Sequence, residues 1–346
     1  MSKLNKFGTH RVIYPLGTLP QTAEKIDNQM VCYDNEILCD VDTLNIDSAS
    51  FTQIRKACDD DKEKMADMIL DIVEQKGKMQ NPVTGSGGMF LGRIHEVGSS
   101  LKRDLKKGDK IASLVSLSLT PLFIEEIKGI DLDKDQVDIK GQAIIFESGI
   151  YAKIPNDLPS NIVLSALDVA GAPAQIDQLV KKDDDVLILG AGGKSGVLCA
   201  YQAKKKAGDK GRIIGVIHHE KDRHTLEELG FVDEIILGDA TNPMEIYDKV
   251  MDVNGGPVDV TINVVNVQNT EMTSILPTKS TGIVYFFSMA TSFTKAALGA
   301  EGIGSEAKMI IGNGYTKNHA EFTLNILRES KPLFELFKAR YGRETE

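Results

Sequence analysis

Residues Asp185–Gly196 read DVLILGAGGKSG, and the fold turns on them. DVLIL is a short apolar run with charged residues ahead of it, the pattern of a strand buried on both faces in a parallel sheet. The turn Gly190-Ala191-Gly192-Gly193-Lys194-Ser195-Gly196 follows at once. Ser195–Ala207 then reads as a helix whose last turn carries Lys204, Lys205 and Lys206, with Gly208 just beyond. Cations there suit the helix dipole, and a glycine suits the cap. Strand, glycine turn and helix in this order form a dinucleotide-binding unit. Gly190 permits the tight turn, Gly192 lets main-chain N–H groups approach a diphosphate, and the helix start adds partial positive charge. The third glycine comes one residue later than in G-x-G-x-x-G, with Ser195 in the sixth place and available to donate to a phosphate oxygen. A glycine-rich turn with no ligand is the plainer alternative, and the flanking elements weigh against it. Gly193-Lys194-Ser195 also ends like a triphosphate-binding loop, but that motif needs glycine where Ile188 stands.

Strands and helices alternate onward from this unit. Arg212–Ile217, Glu234–Leu237, Val258–Val265, Gly282–Met289 and Lys308–Ile311 read as strands. Helices are expected at Lys221–Leu229, near Pro243–Val253 and at Asn318–Leu327. The alternation implies right-handed crossovers and a doubly wound sheet. Before residue 160 the texture differs, with short β-rich segments such as Gly92–Gly98, Lys110–Leu114 and Gly141–Phe146 between polar turns. At roughly 150 residues per domain, 346 residues allow about two.

In an open parallel sheet the ligand lies outside the carboxyl ends of the strands. Asn263 and Val264 end one strand there, and Ser288 and Met289 another, so these four are candidate coenzyme contacts, with core packing the alternative for Val264 and Met289. The carboxylate that usually holds the NAD ribose would fall at His218. Glu220 is near enough to serve; equally, His219, Lys221 or Arg223 suits the extra phosphate of NADP. NAD is expected, with NADP possible.

The net charge of −10 keeps a chain soluble and disfavours nucleic acid and anionic lipid as partners. No apolar run approaches the ~20 residues of a membrane helix. The opening residues MSKLNKFGTHRVIYP hold no secretory leader core. Cys32, Cys39, Cys58 and Cys199 are too scattered for a disulfide framework. A cytoplasmic location is therefore expected. Asp59-Asp60-Asp61 reads as the cap of a helix at Lys62–Val73, and Glu125-Glu126 as a solvated pair.

Gly92-Arg-Ile-His-Glu-Val-Gly98, Leu105-Lys-Lys-Gly-Asp-Lys-Ile111 and the order of the whole chain resemble the medium-chain dehydrogenase/reductase superfamily. The resemblance implies an α/β protein: a GroES-like β-rich catalytic domain over residues 1–160, a Rossmann doubly wound parallel sheet domain over 161–312, and a segment 313–346 returning to the catalytic domain. Many members hold catalytic zinc. Here the segment that would supply its cysteine reads LNIDSASF (Leu44–Phe51), and the segment that would supply its histidine reads NPVTGSGG (Asn81–Gly88). Neither holds Cys or His, and His95 matches no ligand position, so no metal is expected.

FGTHRVIYP (Phe7–Pro15), Leu19-Pro-Gln21, the two loops just quoted and the glycine turn together resemble the L-erythro-3,5-diaminohexanoate dehydrogenase family. That implies NAD-linked oxidative deamination of (3S,5S)-3,5-diaminohexanoate to (5S)-5-amino-3-oxohexanoate, with release of ammonia, in lysine fermentation. Such a substrate needs acceptors for its ammonium groups and donors for its carboxylate. Asp47 is the candidate for holding or deprotonating an amine, with Ser48 beside it as a proton relay. Arg11, Thr84, Ser86 and Asp168 are candidate substrate contacts; the plain readings are a turn cap for Asp47 and a surface pair for Arg11. A homo-oligomer built through the edge strands is expected. Two other classes compete: a zinc-free NADPH-dependent enone or quinone-type reductase, and a non-catalytic dinucleotide sensor.

Overall fold

The computed structural model describes residues 4–312 and 314–342. Two units emerge: Met1–Asp168 with Arg340–Glu346, and Val169–Ala339. The tail expected to leave the second domain at residue 313 thus stays with the second unit as far as Ala339.

The first unit opens with a short ribbon, β1 (Val12–Tyr14) against β2 (Lys25–Ile26). Its main elements are β3 (Glu36–Asn45), α1 (Ser48–Ala57), α2 (Lys62–Lys76), β4 (Met89–Val97), β5 (Lys110–Ser113), β6 (Leu122–Asp131), β7 (Gln136–Phe146), β8 (Tyr151–Lys153) and α3 (Ser160–Leu167). Six strands form one antiparallel sheet in the order β6-β7-β3-β4-β5-β8. Ile37, Cys39 and Val41, at alternate positions of β3, join one core with Phe51 and Ile54 of α1 and Met65, Ile69 and Val73 of α2. Each such side chain contributes about 1.5–3 kcal/mol on burial. Asp61 starts α2 by accepting from the N–H groups of Glu63 and Lys64, and Gly77 ends it at φ 76°.

The second unit comprises α4 (Gly171–Leu179), β9 (Val186–Leu189), α5 (Lys194–Ala207), β10 (Ile213–Ile217), α6 (Lys221–Leu229), β11 (Glu234–Leu237), α7 (Pro243–Asn254), β12 (Val258–Asn263), α8 (Glu271–Ile275), β13 (Thr278–Phe286), α9 (Phe293–Gly302), β14 (Lys308–Ile311), α10 (His319–Glu329) and most of α11 (Lys331–Tyr341). Its six strands are all parallel, in the order β11-β10-β9-β12-β13-β14. This is the strand order of a dinucleotide-binding sheet. β9 is wholly buried between β10 and β12, as its unbroken apolar run requires. The order reverses direction at β9, and the crevice at that reversal opens where β9 and β12 end. β12 and β13 stop at Asn263 and Phe286, short of Val265 and Met289.

Burial pushes all four thiols up, Cys32 to about 11. Cys39 and Cys58 are buried in the first unit and Cys199 in the second. Among the described residues no helix is long and apolar enough to cross a membrane.

Candidate functional site

In the second unit, glycines shape the turn between β9 and α5. Gly190 has φ +86°, a conformation that favours glycine, and lies against Val264 and Val265 at the end of β12. A Cβ on Gly196 would sit 2.2 Å from the Gly190 carbonyl oxygen and 2.6 Å from that of Ala191, so this glycine lets α5 close onto β9. Gly193 precedes α5 without a side-chain cap, and the dipole of this 14-residue helix favours an anion at its start. Ser195 lies in its first turn. Ile188 stays buried inside β9, so the wide nest of a triphosphate loop has no place to form.

Gly192 also makes room for a side chain: a Cβ there would meet Cβ of Asp222 at 2.7 Å and Cγ at 2.8 Å. The glycine admits the start of α6. Asn263 differs from expectation. Its side chain is fully buried, donating to Thr270 and Ser274 while accepting from the Val265 N–H, so it shapes the end of β12 rather than offering a free contact. Ser288 donates to Asn266 across the ends of β13 and β12, and Met289 is exposed. After β10, His218 and His219 stand in solvent, edge to face at 4.7 Å. Glu220 accepts from Arg223 at 2.6 Å.

The first unit gathers polar side chains from separate segments. Asp47 precedes α1, and its Oδ1 accepts from the Ser50 N–H at 3.0 Å. Its Oδ2 is buried with no hydrogen-bond partner among the described residues. Desolvating a carboxylate oxygen without a donor is costly, so a buried spare acceptor points to a missing donor. Ser48 donates to Asp135 Oδ2 at 2.8 Å. The loop 81–88 is tied to α1: Thr84 and Ser50 share a hydroxyl hydrogen bond of 2.6 Å, and Asn81 donates to Gln53 at 2.7 Å. Asn81 Oδ1 in turn accepts from the N–H groups of Val83 and Thr84. Ser86 donates its N–H to Thr84 Oγ1. Gly88, at φ +92°, lies against the backbone of Asn45, Ile46 and Asp47, where a side chain would collide. Asp47, Ser48, Thr84 and Ser86 are therefore held in one knit of loop and helix start. The residues sequence reading passed over here are Ser50, Gln53, Asn81 and Asp135. Ser50 and Asn81 lie inside the two quoted loops and Gln53 just past one, whereas Asp135 is distant in sequence and no signal marks it.

Arg11 is elsewhere and is committed. It is buried, grips both carboxylate oxygens of Glu36 at 2.7 Å, donates to the carbonyls of Gln29 and Val31, and stacks on Tyr33. Its donors are spent within the fold, so it does not receive a substrate carboxylate. Burial alone would raise the Glu36 carboxyl, but Arg11 and His10 outweigh it and hold the group below the usual carboxylate range. Asp168 follows the last residue of α3 and is half-buried. Lys78 is fully buried; its ammonium donates to the carbonyls of Pro20 and Gln21, and burial brings it down to about 8. His95 bonds Asp40 at 3.0 Å. Among the described residues no three His, Cys, Asp or Glu side chains gather as metal ligands.

The family described as L-erythro-3,5-diaminohexanoate dehydrogenase N-terminal domain matches residues 10–155. An L-erythro-3,5-diaminohexanoate dehydrogenase of Acetoanaerobium sticklandii is 59% identical over 339 residues, 97% of this chain and 98% of that protein. Another, from Fusobacterium nucleatum subsp. nucleatum, is 57% identical over 344 residues, 99% of this chain and 100% of that protein. Among solved structures, CurK enoyl reductase superposes with a TM-score of 0.56 at 13% identity, covering 97% of this chain and 85% of that one. The Escherichia coli quinone oxidoreductase complexed with NADPH gives 0.54 at 15% identity, covering 94% and 87%. At such identities the structural likeness speaks to the fold, which is that of the quinone and enoyl reductases.

Proposed function

The chain belongs to the L-erythro-3,5-diaminohexanoate dehydrogenase family, and from that premise we propose how its residues carry the reaction. It is an NAD(P)-dependent oxidoreductase acting on a CH–NH2 group, deaminating 3,5-diaminohexanoate to 5-amino-3-oxohexanoate with release of ammonia. That reaction belongs to lysine degradation. NAD is the expected coenzyme, with NADP possible.

The glycine turn after β9 and the open start of α5 fit a dinucleotide, with Gly190, Gly192, Gly193, Lys194, Ser195 and Gly196 cradling its diphosphate. When bound, it supplies the acceptor for the two electrons and the hydrogen that leave C3. Everything else falls to side chains of the first unit. Asp47 holds the C3 ammonium on Oδ2 and takes a proton from it, so that the amine nitrogen's lone pair can assist oxidation. Water then adds at C3 and supplies the keto oxygen, and the nitrogen departs as ammonium. Ser48, hydrogen-bonded to Asp135, passes protons between this water and the carboxylate. Thr84 and Ser86 line the adjoining loop as polar contacts for the rest of the substrate. One observation carries this assignment: Asp47 caps α1 with one oxygen and keeps the other buried and unsatisfied.

A cytoplasmic location and a homo-oligomer complete the reading. Four unpaired cysteines support the first. The exposed edge strand β14, with Ile311 61% exposed, supports the second. The test is to supply 3,5-diaminohexanoate with NAD and with NADP separately and follow reduced coenzyme by absorbance, with ammonia measured in parallel. Equal amounts of both products are expected. No reduction with the diamino acid, together with turnover of an enone or quinone, would replace this reading with the reductase one.

A further inference from the structure

We infer that Asn45 holds the substrate carboxylate, so that Asn45 and Asp47 together seat the β-amino acid half of the diamino acid. The inference rests on the reading of Asp47 as the seat of the C3 ammonium. It supplies the carboxylate donor that Arg11 cannot be.

Asn45 ends β3 with only 1% of its surface exposed. Its Nδ2 is buried with no hydrogen-bond partner among the described residues. Gln136, opposite it on β7, donates to Asn45 Oδ1 at 3.4 Å. The carbonyl edge of the amide is thereby engaged, and the N–H edge is left over. A buried donor without an acceptor costs stability, so its presence points to an acceptor that arrives with a ligand.

Backbone geometry pairs this donor with the spare oxygen of Asp47. Leu44 and Ile46 enter the core beside α1 and α2. The Ile46 N–H bonds the Asp135 carbonyl, and Asp47 has φ −59° and ψ 145°, so the extended run continues to Asp47. Residues two apart in extended chain share a face and stand about 6–7 Å apart. Asn45 and Asp47 therefore turn together to the face opposite Leu44 and Ile46. The end of β3 thus carries a spare donor and a spare acceptor side by side.

That pair is the complement of a β-amino acid. In 3,5-diaminohexanoate only C2 lies between the carboxyl carbon and the carbon that bears the C3 amine. The Asp47 oxygen takes the ammonium, and the Asn45 amide takes the carboxylate. A neutral amide suits this place. A guanidinium or ammonium there would pair with Asp47 and occupy the oxygen that the C3 ammonium needs. Asn45 is fully buried, between Gln136 of β7 and Met89 of β4, whereas Asp47 is half-buried. The carboxyl end therefore goes in first, and C4 to C6 trail outward toward the loop of Thr84 and Ser86.

The test compares the diamino acid with pentane-2,4-diamine, the same molecule without its carboxyl group. In the native protein kcat/KM is expected to favour the acid by at least about tenfold. Asn45→Leu keeps the branched shape and removes the donor. In that variant KM for the diamino acid is expected to rise about tenfold or more while kcat changes by less than about threefold, and the preference over the diamine to collapse. An unchanged preference in a folded Asn45→Leu protein overturns the inference. A crystal of the native protein with the diamino acid and reduced coenzyme decides the matter without any variant. A carboxylate oxygen is expected about 3 Å from Asn45 Nδ2, and a carboxylate held elsewhere overturns the inference. If deamination proceeds with the carboxylate elsewhere, the inference falls and the function stands. If the native protein neither binds nor deaminates the diamino acid, both fall.

Discussion

The two units make their sites by opposite means. In the second, main-chain atoms shape the proposed site: Gly190 turns the chain, Gly196 lets α5 close on β9, and no side chain caps the helix start at Gly193. In the first, side chains from separate segments must converge, as Asp47, Ser50, Asn81, Thr84 and Asp135 do. A backbone site is robust in what surrounds it and brittle in its glycines. A side-chain site can lose one atom and keep its fold.

The sharpest way to break this contrast is Asp47→Asn. The proposed base would be lost, and kcat is expected to fall by about 10²- to 10⁴-fold. NAD affinity, read by calorimetry, is expected to move far less. Near-normal turnover would remove Asp47 from the chemistry. Next comes Arg11→Ala, which strands the Glu36 carboxylate without its guanidinium. Thermal unfolding is expected to show a loss of about 3–5 kcal/mol, while KM for the diamino acid in the surviving protein is unchanged. A raised KM would restore Arg11 as a substrate contact.

On the backbone side, Gly196→Ala forces a methyl onto two carbonyl oxygens. It is expected to cost about 1–3 kcal/mol of stability and to weaken coenzyme binding. Gly193→Ala is the internal control for stability, since its Cβ would meet only the Gly190 carbonyl oxygen, at 3.5 Å. A change below about 0.5 kcal/mol is expected there in urea unfolding. A further prediction concerns the pH dependence that Lys78 imposes. Burial depresses its ammonium to about 8 in the folded protein. In the unfolded chain a lysine titrates near about 10.4. Between those values the unfolded chain holds the proton and the folded chain does not, so stability rises with pH across that window. Lys78→Met is expected to flatten that rise in urea midpoints taken across the same range.

The same contrast explains what the sequence made legible. Lys194–Ala207 and the strands around it were readable because a buried parallel strand, a glycine turn and a lysine-rich helix end are local patterns. Helices α8 and α9 were not read: α8 has only five residues, and α9 buries only Ala296 and Ala300, too faint a stripe to mark a period. β3 was missed because both its faces are largely covered, which removes the alternation of a half-exposed strand. For the candidate site, the loops carrying Asp47 and Thr84 were found through family resemblance. Arg11 was misplaced because nothing near it in sequence announces Glu36 as its partner. The contact of Asp222 with Gly192 was passed over because it spans thirty positions of chain.

The cysteines offer an independent window on both halves. Cys39 and Cys199 are sealed in the cores of different units, and burial keeps each protonated and away from reagents. Alkylation at neutral pH therefore has to wait for breathing of the surrounding core, and its speed reports how often that happens. Mapping which cysteine is capped first, by peptide mass, would rank the two halves by the ease with which each comes apart.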